Sequence, residues 1–329
     1  MTVARHILDR FTTLPNVTAF EHAPLNLHTR FGIGGPAALY VEASTEAAFL
    51  SALRTAQSSG AGYTIIGAGT NLIVSDQGYD GIVLRYTGGR IWRDGDVVQA
   101  EAGAELQALV DDSIQNGLRG LETMTGIPGS VGAAVYGNAG AYGHSIDERV
   151  GCVRFVDGET VRSFTAAECR FRYRESVFKA HKDWIVLSVA LTLTPSPAAE
   201  LRAAADEIFQ IRLAKYPQTM KCAGSIFKNL ILAELAGSVR RQIPERVVRE
   251  GKAPSAYFLE QVGAKGMRNG GICVADYHAN LIYNDGGGTA RELCELIAEL
   301  KTRVRDRFGL ELEEEVQYIG FPAASRPVP

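Results

Sequence analysis

Six glycines fall within the eighteen residues from Gly126 to Gly143, and no side chain in that stretch is charged. Such a run is too poor in polar groups for a solvated loop. Lacking Cβ atoms, its backbone can approach a flat ligand closely or fold into a tightly packed bend. A second cluster, Gly67-Ala68-Gly69, follows the strand-like run Tyr63-Thr64-Ile65-Ile66. A glycine-rich turn after a strand raises the dinucleotide fingerprint of the Rossmann fold, but the sequence rejects it. The sixth position is Leu72 rather than Gly or Ala, and no amphipathic helix opens after the turn. What remains is strand, turn and further strand. The exposed N–H groups of such a turn can cradle a pyrophosphate without a helix dipole, or the loop is an ordinary tight turn.

The rest of the chain reads as mixed α and β. Ser44 or Thr45 can cap a helix running to Gln57, and Ala104–Asn116 and Ala198–Ala214 carry helical apolar spacing. Thr289 and Glu292 form a capping box for a helix over Ala290–Phe308, with Gly309 as its stop. Between residues 90 and 195 the signals are mostly β, with Asp94-Gly95 and Asp157-Gly158 as hairpin turns. Short strands are expected at Ile272–Ala275, Leu281–Tyr283 and Glu315–Ile319, followed by a Pro-rich tail.

A length of 329 residues suits two to three domains. The 34 Lys+Arg against 37 Asp+Glu lack the basic excess of a nucleic-acid-coating protein, so no nucleic-acid partner is expected. No apolar run approaches the ~18–20 residues of a membrane helix, and Met1 to Phe11 has no continuous apolar core of a secretory signal. A cytoplasmic protein without a membrane partner is the expectation. Cys152, Cys169, Cys222, Cys273 and Cys294 are far apart, with no paired spacing and no nearby histidine cluster. That pattern argues against a metal site and a disulfide framework, and for a reducing compartment.

Several ordered motifs then converge. They are Asn26-x-x-Thr29 with Gly34-Gly35-Pro36-Ala37, the run Gly67-x-Gly69-Thr70-Asn71-Leu72, and the glycine stretches Gly126–Gly132 and Asn138–Gly143. Further on come Tyr173-Arg174-x-Ser176-x-Phe178-Lys179, Ala223-Gly224-Ser225-x-Phe227-Lys228-Asn229, and Leu312-Glu313-x-Glu315-Val316-x-x-Ile319-Gly320. Together they resemble the UDP-N-acetylenolpyruvoylglucosamine reductase (MurB) family over residues 26 to 320. The resemblance implies an α+β fold, a two-lobed FAD-binding domain of the p-cresol-methylhydroxylase/vanillyl-alcohol-oxidase (PCMH/VAO) type with a C-terminal α+β substrate-binding domain. Lobe 1 would span residues 1–80, lobe 2 residues 81–214 and the substrate domain residues 215–309, with the tail 310–329 returning to lobe 1. It implies non-covalent FAD, NADPH as hydride donor and a UDP-sugar bearing an enolpyruvyl ether as substrate. A monomer is expected.

In such a reaction a hydride adds at the terminal carbon of the enol ether, and charge spreads from the adjacent carbon onto the carboxylate. A cation must steady that carboxylate and a proton donor must reach the carbanion centre. Arg174, following Tyr173 in a strand-like setting, suits the first task because a guanidinium grips a carboxylate with two bonds. Taken alone it would be a surface charge. Ser225 suits the second, although an isolated serine is usually a turn or cap residue. Glu315 would be one of a solvated run with Glu313 and Glu314; the family pattern singles it out as a partner of Arg174. The resemblance assigns Gly67, Ala68, Gly69, Thr70, Asn71 and Leu72 to the cofactor. It assigns Gly126, Pro128, Gly129, Ser130, Gly132, Asn138 and Gly140 to it as well. Tyr173, Arg212, Lys215, Lys228, Asn229 and His278 are the substrate candidates.

The sequence also departs from the family pattern. Leu230 stands where proline is common, and the Tyr-containing loop that one branch carries over the diphosphate has no room between Trp184 and Pro195. Residues 231–252, with Arg240, Arg241, Arg246, Arg249 and Lys252, are longer than a minimal fold needs. Two other readings stay open at this level. One is a flavin oxidase of the same fold, and the other is a non-catalytic flavin- or UDP-sugar-binding protein.

Overall fold

Along Pro36–Ala43, Ala37, Leu39, Val41 and Ala43 point to one face and all are buried. This alternation commits the strand to a sheet with one apolar side. The computed structural model describes residues 5–322, so the first four residues and the Pro-rich tail (323–329) lie outside the described residues. The chain forms two compact units. One comprises residues 5–23, Ala37–Ala68 and Asp80–Pro217; the other comprises Pro24–Pro36, Gly69–Tyr79 and residues 218–322.

In the first unit a four-stranded sheet runs in the order Val17–Pro24, Pro36–Ala43, Tyr79–Tyr86, Tyr63–Ile66, the last pair parallel. Thr45, not Ser44, caps the helix Glu46–Gln57, accepting the Ala48 N–H at 3.2 Å. Its apolar stripe of Phe49, Ala52, Leu53 and Ala56 joins Leu39, Val41 and Leu84 in one core. Each fully buried large side chain there contributes about 1.5–3 kcal/mol. A five-stranded antiparallel sheet follows in the order Val161–Thr165, Val150–Val156, Ile185–Thr192, Val97–Glu101, Ile91–Asp94. The first hairpin turns on Gly95-Asp96, one residue later than Asp94-Gly95, because Asp94 still pairs with Val97.

The glycine stretch holds a helix that its composition hid, Val131–Tyr136, capped by Ser130. Glycine is a poor helix former. Packing overrides that preference: a Cβ on Gly132 would sit 2.7 Å from the Ala102 Cβ, so only glycine lets the helix lie this close.

The second unit is built on an antiparallel sheet in the order Lys221–Ser225, His278–Asn284, Ile272–Ala275, Arg268–Asn269. The helix Ala290–Phe308 packs Leu293, Leu296, Ile297, Leu300 and Val304 into its core. The Thr289–Glu292 capping box forms as the sequence reads, and Gly309 ends the helix at φ +65°. Asp76 adds a second cap, accepting the Ala290 and Arg291 N–H groups at 2.8 and 3.0 Å. The last strand is shorter than read, Gln317–Ile319, and pairs in parallel with Leu72–Val74. Leu230-Ile231 and Lys252-Ala253 pair antiparallel and bracket the long segment between them. Val239 and Ile243 of that segment dock into the unit's core, while Arg240, Arg241, Arg246 and Arg249 are exposed.

Candidate active site

Gly67 and Ala68 of the first glycine cluster meet the second cluster within the first unit. A Cβ on Gly67 would lie 2.9 Å from the Ser130 hydroxyl and 3.3 Å from the Ala133 Cβ. The N–H groups of Gly67, Ala68, Gly129 and Ser130 donate to no other group among the described residues. Bare donors around a space that side chains are denied form an anion cradle, and they fit a pyrophosphate. The other glycines of the stretch serve packing. The Gly126 N–H donates to Gln107 at 2.7 Å, and the missing side chain leaves room for Phe209 and Arg212. The Gly132 N–H donates to the Ala102 carbonyl at 2.8 Å. A Cβ on Gly140 would strike the His144 carbonyl at 2.5 Å.

Arg174 lies in a tight turn rather than a strand. Arg172 and Glu175 exchange both backbone hydrogen bonds at 3.0 Å, leaving Tyr173 and Arg174 as the two central residues. Arg174 has φ +59°, a conformation that costs a side chain about 1–3 kcal/mol unless the surroundings enforce it. Several groups do. Lys179 Nζ donates to the Arg174 carbonyl at 2.9 Å, and Asn138 Nδ2 donates to the Arg172 carbonyl at 2.9 Å. Ser176 caps the short helix Val177–Ala180 and donates to the Tyr136 carbonyl at 2.7 Å. The guanidinium donates to the Gly140 carbonyl at 3.0 Å and lies 5.3 Å from the Tyr173 ring centre. Each polar residue of the Tyr173–Lys179 motif thus helps hold one arginine. Arg212 and Lys215, at the end of the helix Ala198–Lys215, both face the Tyr216 ring.

In the second unit Gly69 has φ +69°, and a Cβ there would collide with the His28 carbonyl oxygen at 1.8 Å. The Gly69 carbonyl accepts the Arg30 N–H at 3.0 Å. The Asn71 side chain reaches back into the protein: its amide donates to the Glu315 carbonyl at 3.0 Å, while the Asn71 backbone carbonyl accepts the Gln317 N–H at 2.9 Å. Asn71 is therefore a brace on Glu315.

Ser225 follows a bulge. Cys222 pairs with Tyr283 but Ser225 pairs with Leu281, so three steps on one strand match two on the other. Gly224 absorbs the extra residue at φ +75° with open space around it. A bulge turns the side chain that follows it to the other face. Glu315 then comes alongside: its N–H donates to the Ile226 carbonyl at 2.8 Å, and Lys228 N–H donates to the Glu313 carbonyl at 2.9 Å. The serine and the glutamate, ninety residues apart in sequence, are thereby carried on adjacent backbone. Glu314 points the other way, into an ion pair with Lys301 at 2.9 Å and a hydrogen bond from the Tyr318 hydroxyl. Burial and that carboxylate push the Tyr318 hydroxyl far above its ordinary pKa.

Of the remaining candidates, Lys228 gives its ammonium to Glu313. Asn229 Oδ1 accepts the Ser255 N–H at 3.4 Å. His278 Nδ1 accepts the Asn280 N–H at 3.1 Å, which puts the neutral ring's proton on Nε2. Cys222 is fully buried. Lys179 enters the sequence reading only as a member of the Tyr173–Lys179 motif, and Ser255 and Asn280 carry no sequence signal of their own; each acts on a site residue only through the fold.

Two family models match the chain. One is an FAD binding domain, over residues 37–162, and the other is the C-terminal domain of UDP-N-acetylenolpyruvoylglucosamine reductase, over residues 216–319. The chain is 58% identical to a UDP-N-acetylenolpyruvoylglucosamine reductase from Solibacter usitatus, over 94% of this chain and all of the relative. A reductase of the same name from Rubrobacter xylanophilus is 36% identical, over 91% of this chain and 94% of the relative. The crystal structure of the Thermus caldophilus enzyme superposes with a TM-score of 0.71 at 27% identity, covering 92% of this chain and 98% of that one.

Proposed function

The chain belongs to the UDP-N-acetylenolpyruvoylglucosamine reductase family, and we propose that Arg174, Ser225 and Glu315 carry its reaction. It is an FAD-dependent, NADPH-consuming reductase that converts UDP-N-acetyl-3-O-(1-carboxyvinyl)-glucosamine to UDP-N-acetylmuramate in peptidoglycan precursor synthesis. The observation that carries the assignment of residues is the backbone bridge that sets Glu315 beside Ser225, with Asn71 bracing it from behind.

FAD, when bound, would supply the hydride chemistry that links NADPH to the terminal carbon of the enol ether. Gly67, Ala68, Gly129 and Ser130 would hold its pyrophosphate with their backbone N–H groups. Neither glycine cluster offers a histidine or cysteine for a covalent flavin link. Arg174, held in its turn, presents a guanidinium to the substrate carboxylate as charge grows there. Ser225 gives its hydroxyl proton to the adjacent carbon. Glu315 works at the carboxyl end with Arg174. Tyr173, Arg212, Lys215, Asn229 and His278 are the further substrate-binding residues of this proposal. Lys228 joins them by exchanging Glu313 for a phosphate. We further propose a cytoplasmic monomer with lobes at 1–80 and 81–214 and a substrate domain at 215–309. Among the described residues no helix is long and apolar enough to cross a membrane.

The purified protein should be yellow, and heat or acid should release FAD; a colourless protein that takes up no FAD overturns the reading. Within that frame, Arg174→Ala should slow substrate-dependent flavin reoxidation by about 10²–10³-fold, the cost of losing a donor to developing charge. Arg174→Lys, which keeps the charge but loses the fork, should lose less. Equal slowing of NADPH-driven flavin reduction in these variants would remove Arg174 from the substrate carboxylate.

A further inference from the structure

Once past Ser225, the chain leaves the edge of its sheet. The Ile226 N–H still donates to the Asn280 carbonyl, at 3.1 Å, but Phe227 has no backbone partner on that side. The Asn280 side chain takes the missing place. Its Oδ1 accepts the Phe227 N–H at 2.9 Å and its Nδ2 donates to the Phe227 carbonyl at 2.8 Å. The pairing is reciprocal, and it fixes which end of the amide faces which backbone group. Both residues are buried, Asn280 at 2% and Phe227 at 1% exposure, so no water can replace either bond.

The opposite edge of the same segment carries the Glu313–Glu315 strand piece, with Phe227 facing Glu314. Residues 226–228 are thus gripped from both sides. Asn280 holds one edge and the glutamate segment the other, and the two proposed reacting side chains, Ser225 and Glu315, hang from the same end of this arrangement on neighbouring stretches of chain. Asn280 itself reaches neither of them through any contact described above.

We infer that Asn280 is a positioning residue for the reduction: its side-chain amide, by pairing both polar groups of Phe227, fixes the distance between Ser225 and Glu315. The inference rests on the reading of Ser225 and Glu315 given above. Mutations that shift reacting groups by about 1 Å cost on the order of 10²-fold in rate, so releasing this grip should be felt in the proton-transfer half-reaction alone.

The test uses the FAD-loaded enzyme and the variant Asn280→Leu, which fills the same space but pairs neither group. Hydrogen exchange across residues 226–229 should speed up at least about tenfold, because the Phe227 amide loses its acceptor. Flavin reduction by NADPH should stay within about twofold, while reoxidation by the UDP-sugar slows about 10–100-fold at an unchanged half-saturating concentration. In the Ser225→Ala background Asn280→Leu should add no further slowing, since the two losses share one cause; a general structural role would give additive losses. Should Asn280→Leu fail to load flavin, Asn280→Asp keeps the shape and the acceptor but sets an oxygen against the Phe227 carbonyl in place of the donor, and it is read by the reoxidation rate and the Ser225→Ala double variant rather than by exchange. Unchanged exchange, parental reoxidation or additive slowing overturns the inference. Parental reoxidation by Ser225→Ala overturns instead the assignment of Ser225, while the exchange measurement still decides whether Asn280 holds Phe227.

Discussion

Ser225→Ala should bleach normally when NADPH is added and regain its colour about 10²–10⁴ times more slowly than the parent when the UDP-sugar follows, the usual cost of removing a general acid. The contrast arises because Ser225 has no part in hydride transfer from NADPH. The bulge at Gly224 and the bridge from Ile226 to Glu315 direct its hydroxyl, and alanine disturbs neither. Ser225→Cys keeps a transferable proton on a larger atom and should retain part of the rate. Cys222 is fully buried, so it cannot stand in for the missing hydroxyl, and Cys222→Ser should leave the residual rate unchanged. Stopped-flow absorbance of the flavin resolves the two stages. Parental reoxidation in Ser225→Ala would mean the proton comes from another group.

Gly69→Val should abolish flavin loading, for a reason that sequence alone does not reveal. The glycine reads as making room for a pyrophosphate, but the structure puts a backbone atom there. A Cβ at Gly69 would overlap the His28 carbonyl oxygen at 1.8 Å, and φ +69° is a conformation that β-branched residues almost never adopt. Backbone cannot yield as a flexible side chain can, so the loop from Gly69 to Asn71 must move, and with it the Asn71 brace on Glu315. Gly60 is the internal control. It has a similar φ of +73° with nothing near its Cβ position, so Gly60→Ala should cost only the strain of about 1–2 kcal/mol and keep its flavin. The ratio of flavin to protein absorbance, with a melting curve, reads both. Parental flavin content in Gly69→Val would show that this loop does not have the conformation described.

What could be read in advance follows from how local each signal is. The helix Ala290–Phe308 was legible to the residue because its cap, apolar stripe and stop all lie within its own sequence. The helix Val131–Tyr136 was not, since the reason for its Gly132 is the close approach to Ala102, thirty residues away. Arg174 was identified by its motif but placed in a strand, since nothing in Tyr173-Arg174 announces a positive φ on an arginine. The roles of Lys179 and Asn138 in enforcing that φ exist only in three dimensions. Asn71 read as a cofactor ligand because it follows the glycine turn; its amide in fact supports Glu315, 244 residues on. Asn280 gave no signal beyond its neighbour His278, because an amide that replaces a missing strand looks like any other asparagine in the chain.

The central claim is that this chain moves two electrons from NADPH to the enolpyruvyl ether of a UDP-sugar. Its most direct test is anaerobic turnover of the purified yellow protein with NADPH and UDP-N-acetyl-3-O-(1-carboxyvinyl)-glucosamine, run in deuterated water and analysed by mass spectrometry and NMR. The account predicts one UDP-N-acetylmuramate formed per NADPH consumed, with a solvent deuterium on the carbon that Ser225 protonates. Consumption of NADPH without UDP-N-acetylmuramate, or a product with no solvent deuterium on the carbon that Ser225 protonates, would contradict it.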